Sequence, residues 1–126
     1  MATQNQLLSL SFPASADLSS DRYKVCKLNS SGEVVLVTAI TDIPLGILQN
    51  KPDAQGKPAH ILPISAGGVS KIALGATLAK GVLAGTSAAG LAVADATTNY
   101  TLGIITVSGE NGDVGSILLG SMTAKA

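Results

Sequence analysis

Aromatic side chains are almost missing from this 126-residue chain: Phe12, Tyr23 and Tyr100 are the whole supply, and there is no tryptophan. Sugar sites stack C–H faces on exposed aromatics and single-stranded nucleic acid stacks its bases on them, so both kinds of ligand find little to hold here. Charge is equally scarce. Charged residues make up 13% of the chain, eight basic side chains balance eight acidic ones, and Arg22 is the one arginine. Nothing here could neutralise a run of phosphates, which argues against nucleic-acid binding. No apolar run approaches the ~18 residues of a membrane-spanning helix. The N-terminus carries an Ala-x-Ala pattern at 14–16 but no basic head, and its apolar stretch is short and broken by serines, which argues against a signal peptide. Cys26 is the one cysteine, so no internal disulfide can form, in keeping with synthesis in a reducing cytoplasm.

The residues of catalysis are thin as well. His60 is the one histidine, and the spacings HxH, CxxC and HExxH are absent, so no metal centre is expected. Cys26 lies in an apolar run and reads as a small buried hydrophobe. The segment 108–115, SGENGDVG, invites a phosphate or calcium reading. It has neither the GK[ST] of a P-loop nor alternating acidic ligands, and is expected to be a hairpin loop. Asn29-Ser30-Ser31 and Asn99-Tyr100-Thr101 match glycosylation acceptors, which without a secretory route carry no weight. No enzyme activity and no cofactor are expected.

What the chain does have is a repeat. Residues 25–48, VCKLNSSGEVVLVTAITDIPLGIL, align without a gap on 82–105, VLAGTSAAGLAVADATTNYTLGII. Val25 falls on Val82, Ser30 on Ser87, Ala39 on Ala96, Thr41 on Thr98, and Leu45-Gly46-Ile47 on Leu102-Gly103-Ile104, seven identities in all. Roughly two are expected by chance for this composition. After a one-residue slip Gly56 meets Gly112, and Ile61-Leu62 meets Ile117-Leu118. Each copy reads as strand, Ser/Gly turn, strand, LGI strand, polar loop and short apolar strand. Two copies are too few for a solenoid, which needs at least three units.

Local patterns agree with an all-β chain. Leu-Ser-Leu-Ser-Phe at 8–12 alternates in strand fashion up to Pro13, and Asn29–Gly32 is a turn signal. The aliphatic run Val34–Val37 suggests a strand buried on both faces. The Ala- and Leu-rich stretch 71–84 could start a helix, but Gly75 and Gly81 interrupt it, so strand and turn with at most one helical turn are expected. The fold class expected is therefore all-β: a single small β-barrel or β-clip-like domain of two similar halves with an extended N-terminal arm. The arm spans 1–16 and the domain 17–126, with repeat copies at 25–64 and 82–120. In the arm, Leu8, Leu10 and Phe12 share one face and Leu7 adds to it. The arm either completes the chain's own sheet or adds as a strand to a larger assembly's shell protein or a neighbouring subunit; Leu7, Leu8, Leu10 and Phe12 are the candidate contacts beyond the chain.

The second copy, from the run ALGATLAKGV through a Gly turn to LAVADATTNYTLGIITVSGENGDVGSILL, resembles the small capsid decoration (cement) proteins of tailed bacteriophages. The features that carry the resemblance are an Ala-rich β domain, a turn such as Ala89-Gly90, the strand Leu102–Ile104, the loop at Gly112-Asp113 and a final aliphatic strand. The resemblance covers most of 14–119. It implies a structural protein of the virion, made in the host cytoplasm, with no catalytic residues. Its partners would be the major capsid protein, on the capsid's outer surface, and itself, as a homotrimer on the shell. Low charge and near-zero net charge fit a part of an assembly. Two rival readings stay open: a glycan- or receptor-binding module of a virion appendage, and a trimeric β-barrel hydrolase.

Overall fold

The computed structural model describes residues 10–96 and 100–120. Ten strands make two five-stranded antiparallel sheets. In the first, β1 (Leu10–Pro13), β2 (Val25–Leu28), β3 (Val34–Leu36), β4 (Gly46–Leu48) and β5 (Pro58–Pro63) take the order β1-β5-β4-β2-β3. In the second, β6 (Val69–Ala73), β7 (Leu83–Thr86), β8 (Ala92–Ala94), β9 (Thr101–Val107) and β10 (Val114–Leu119) take the order β6-β10-β9-β7-β8. The two orders are one order written twice. Among the described residues the only helical element is the 3₁₀ turn Ile64–Ala66, between the sheets. The stretch 71–84 forms strand and turn: Gly81 takes φ 83°, and Leu78 N–H bonds to the Gly109 carbonyl instead of continuing a helix.

The duplication extends to single hydrogen bonds. Leu48 pairs with Ile61 as Ile105 pairs with Ile117, and Gly46 pairs with Pro63 as Gly103 pairs with Leu119. The parallel bridge Ala14–Val34, which joins the end of β1 to the opposite edge of its sheet, recurs as Leu74–Ala92. The β2–β3 turn is held by Asn29 Oδ1, which accepts from Ser31 and Glu33 N–H; in the β7–β8 turn Ser87 Oγ accepts from Ala89 and Leu91 N–H. The LGI motif has a steric cause. A Cβ at Gly46 would run into the Leu62 carbonyl, and one at Gly103 into the Leu118 carbonyl, so glycine lets adjacent backbones approach.

The gapless sequence register is half right. In the ladder Gly46 does match Gly103, but Val25 matches Leu83 rather than Val82, because Val25 faces Ile47 where Leu83 faces Ile104. Nine residues separate Leu36 from Gly46 and eight separate their ladder counterparts Ala94 and Gly103, so this connection is one residue shorter in the second half and the register shifts there. The repeat also reaches further upstream than the sequence alignment. Residues 10–13, in the segment expected to be an arm, pair with β5 and hold the place that β6 holds on β10. Val34–Leu36 is an edge strand with Val35 and Leu36 half-buried, so the expectation of burial on both faces fails there.

Two cores hold the molecule together. Ala14, Leu18, Cys26, Val34, Leu48, Ala59 and Ile61 cluster on one face of the first sheet. The opposite face, with Val25, Ile47 and Leu62, belongs to a larger cluster with Ile72, Leu74, Leu102, Ile105 and Ile117 of the second half. Between the halves, Val25 N–H donates to the Gly90 carbonyl (2.8 Å) and Ala73 N–H to the Tyr23 carbonyl (2.9 Å). Tyr23 is the one non-glycine described residue with positive φ (69°), and its counterpart is Gly81: each donates its N–H to the same strand position, Leu48 or Ile105. An L side chain is strained in that conformation. The Tyr23 ring packs on the larger core between Arg22, whose guanidinium lies 4.6 Å from its centre, and Lys71 at 5.8 Å.

Candidate functional site

Loop 38–44 is organised by one carboxylate. Asp42 Oδ2 accepts from Lys27 Nζ (2.9 Å) and from the backbone N–H of Thr38 (3.0 Å) and Ala39 (3.1 Å). The Lys27 ammonium and these N–H groups favour the ionised form and hold its pKa down at about 2, against an ordinary value of 3.8. With the polar side of the loop satisfied inward, its apolar residues are left outside: Ile43 is 73% exposed, and Ile40 is exposed too.

Ile43 forms the rim of a groove of about 330 Å³, lined by Leu10, Pro44, Leu45, Pro63, Ile64 and Tyr100 among others. Leu10 comes from β1, Ile43–Leu45 from the approach to β4, Pro63 and Ile64 from the end of β5, and Tyr100 from the approach to β9. Tyr100 and Leu10 are 44% and 37% exposed. Large apolar side chains gathered around one concavity, with no charged residue among its described lining, suit an apolar segment of a protein partner.

The candidate contacts named from sequence divide here. Leu10 lines the groove. Phe12 is half-buried and packs against the first-half core, opposite Ala59 of β5. Leu7 and Leu8 lie outside the described residues. Ile43, Pro44 and Tyr100 were missed. Their signal was an Ile-Pro pair and a tyrosine standing in otherwise polar loops, which has no strand or helix period.

Reactive groups do not gather elsewhere in the described residues. No three His, Cys, Asp or Glu side chains converge as metal ligands. His60 is exposed on β5, and its backbone N–H donates to Asn50 Oδ1. Cys26 is fully buried; burial first, and the negative charge of Asp21 second, push its thiol up to about 12.

No protein-family model and no curated protein sequence matches the chain. A solved structure does: the N base of the head fiber protein gp8.5 of bacteriophage phi29. It superposes with a TM-score of 0.66 at 15% identity, over 92% of this chain and 99% of that one. At that identity the likeness shows a shared fold, over most of this chain and nearly all of that one.

Proposed function

We propose that the chain is a structural protein of a tailed-phage virion, seated on the outer surface of the capsid, where it holds neighbouring major capsid proteins together. The observation that carries this reading is the shared fold with the phi29 head fiber N base over nearly the full length of both chains. A fold alone does not fix a function. The composition supports the same reading: low charge, no net charge and abundant aliphatic residues suit a subunit of an assembly. The protein acts by binding, with no catalytic step and no cofactor, and self-associates on the shell as a homotrimer.

The groove at Leu10, Ile43 and Tyr100 is the contact for the capsid protein. Its rim is apolar and lacks the arginines and tryptophans that anchor tight one-to-one interfaces. Many weak contacts on one particle still add up, because each engaged subunit raises the effective concentration of the next contact. Mass analysis of purified particles from the source tests the reading: the chain is expected at high copy number, and its absence would overturn the proposal. The groove is tested separately by adding purified chain to particles that lack it. Ile43→Asp together with Tyr100→Asp is expected to weaken binding about tenfold or more with an unchanged melting temperature. Full binding by that variant would move the contact elsewhere.

A further inference from the structure

The two halves share one ladder, but they do not use its faces alike. In the first half Val25, Ile47 and Leu62 form a face that is fully buried in the core shared with the second half. Ladder positions give their counterparts as Leu83, Ile104 and Leu118. Leu83 and Ile104 are half-buried and Leu118 is 39% exposed. Val82 beside them is also open to solvent.

The second half's core residues bury the first-half face, and a turn docks on the backbone at its rim. The β7–β8 turn sits against the first half with Gly90 buried, its carbonyl accepting from Val25 N–H. A Cβ built on Gly90 would lie 2.9 Å from the Val25 carbonyl oxygen and 3.5 Å from Lys24 Cβ. The first half carries the same turn at Asn29–Gly32. Gly32 has φ 79° and Gly90 φ 77°, and Gly32 N–H bonds to the Asn29 carbonyl as Gly90 N–H bonds to the Ser87 carbonyl. Yet no described residue lies within 4 Å of a Cβ built on Gly32. Among the described residues there is thus a docking turn with no face and a face with no turn.

We infer that a second copy of this chain docks its Asn29–Gly32 turn at the rim of the Leu83, Ile104 and Leu118 face, with Gly32 beside Val82, repeating between chains the contact that joins the halves within one. The contact joins two different surfaces, so each added copy offers one free turn and one free face, and association continues until it closes on itself. It is weaker than the internal contact. Pro13 stands where Ala73 donates its N–H to the Tyr23 carbonyl, and Gly81 stands where Tyr23 supplies its ring. Association is therefore expected at high local concentration, such as that on a crowded surface.

The internal contact sets the test. By equivalence with Gly90 and Lys24, residue 32 of one chain should lie beside residue 82 of the next, within the Cβ separation that a disulfide spans. Chains bearing Gly32→Cys and chains bearing Val82→Cys are mixed under mild oxidation; Ser31→Cys serves as a second turn variant without the positive φ. Buried Cys26, its thiol held up at about 12, stays out of the reaction. The expected result is a 32–82 or 31–82 linked heterodimer in clear excess over dimers of either chain alone. Adding Leu118→Asp to the Val82→Cys chain should lower the yield about tenfold with the melting temperature held. No excess with either turn variant, or a yield indifferent to Leu118→Asp, overturns the inference. The virion reading fails separately: a chain that cross-links but is absent from particles sinks only that reading, and a chain present on particles that never cross-links sinks only this one.

Discussion

The first and second halves of this chain are alike in backbone and unlike in what their side chains meet. Strand order, the bridge between the sheet edges, the turn hydrogen bonds and the two close-approach glycines repeat one for one. The faces do not. The first half buries both sides of its sheet, one in its own core and the other against its twin. The second half buries one side and leaves Leu83 and Ile104 half-buried and Leu118 in contact with water on the other. Backbone pairing is a local matter, and a duplicated segment keeps it. Burial depends on neighbours, and of two like units packed one behind the other only one has this face against its twin.

Where the halves are alike, equal damage is expected. Gly46→Ala and Gly103→Ala each drive a methyl into a backbone carbonyl that cannot step aside, and overpacking of that kind costs on the order of 3 kcal/mol. Chemical denaturation should give losses of similar size for the two. A mild effect at one site would break the equivalence at its best-defined point.

Where the halves differ, matched truncations should diverge. Leu62→Ala empties a fully buried site and is expected to cost about 2–5 kcal/mol. Leu118→Ala removes a side chain already 39% exposed and should cost about 1 kcal/mol or less. Equal losses in dilute solution would mean that the second face is covered after all.

Much of this plan was legible in the sequence. The LGI motif declared itself because glycine is required where two backbones come close, and the Asn29–Gly32 turn because glycine accommodates positive φ. The first strand of each half was not recognised as part of the repeat. Leu10–Pro13 and Val69–Ala73 share no residue pattern, and their partnership exists only through β5 and β10. The one-residue difference before the LGI strands then offset Val25 from its true counterpart, since an ungapped alignment cannot represent a shorter loop. The groove was the least legible part. Leu10 was named, but Ile43 and Tyr100 come together only because Asp42 folds its loop and the halves pack beside each other.

Smaller effects sharpen the comparison. Asn29→Ala and Ser87→Ala each remove a side-chain oxygen that holds two turn N–H groups, and each is expected to cost about 1 kcal/mol. A clearly larger loss at Ser87 would reflect the packing of its turn against Val25, which the Asn29 turn lacks within one chain.

The smallest effect separates the halves by pH. Asp42 has its pKa lowered in the folded protein, so the unfolded chain takes up the proton first as pH falls. Its contribution to stability is complete above the unfolded value of 3.8 and is lost as pH drops through about 2. Asp42→Asn should lower stability slightly at neutral pH and flatten the acid limb of the stability curve between those values. An acid limb unchanged by the substitution would show that the carboxylate does not hold the loop.

The central claim is that one face is buried in the first half and open in the second, on a shared ladder. Hydroxyl-radical footprinting of the dilute protein reads both faces in one experiment. The account predicts that Leu118, and to a lesser degree half-buried Leu83, are oxidised faster, per unit intrinsic reactivity, than their counterparts Leu62 and Val25. Equal protection of the two sets in dilute solution would contradict it.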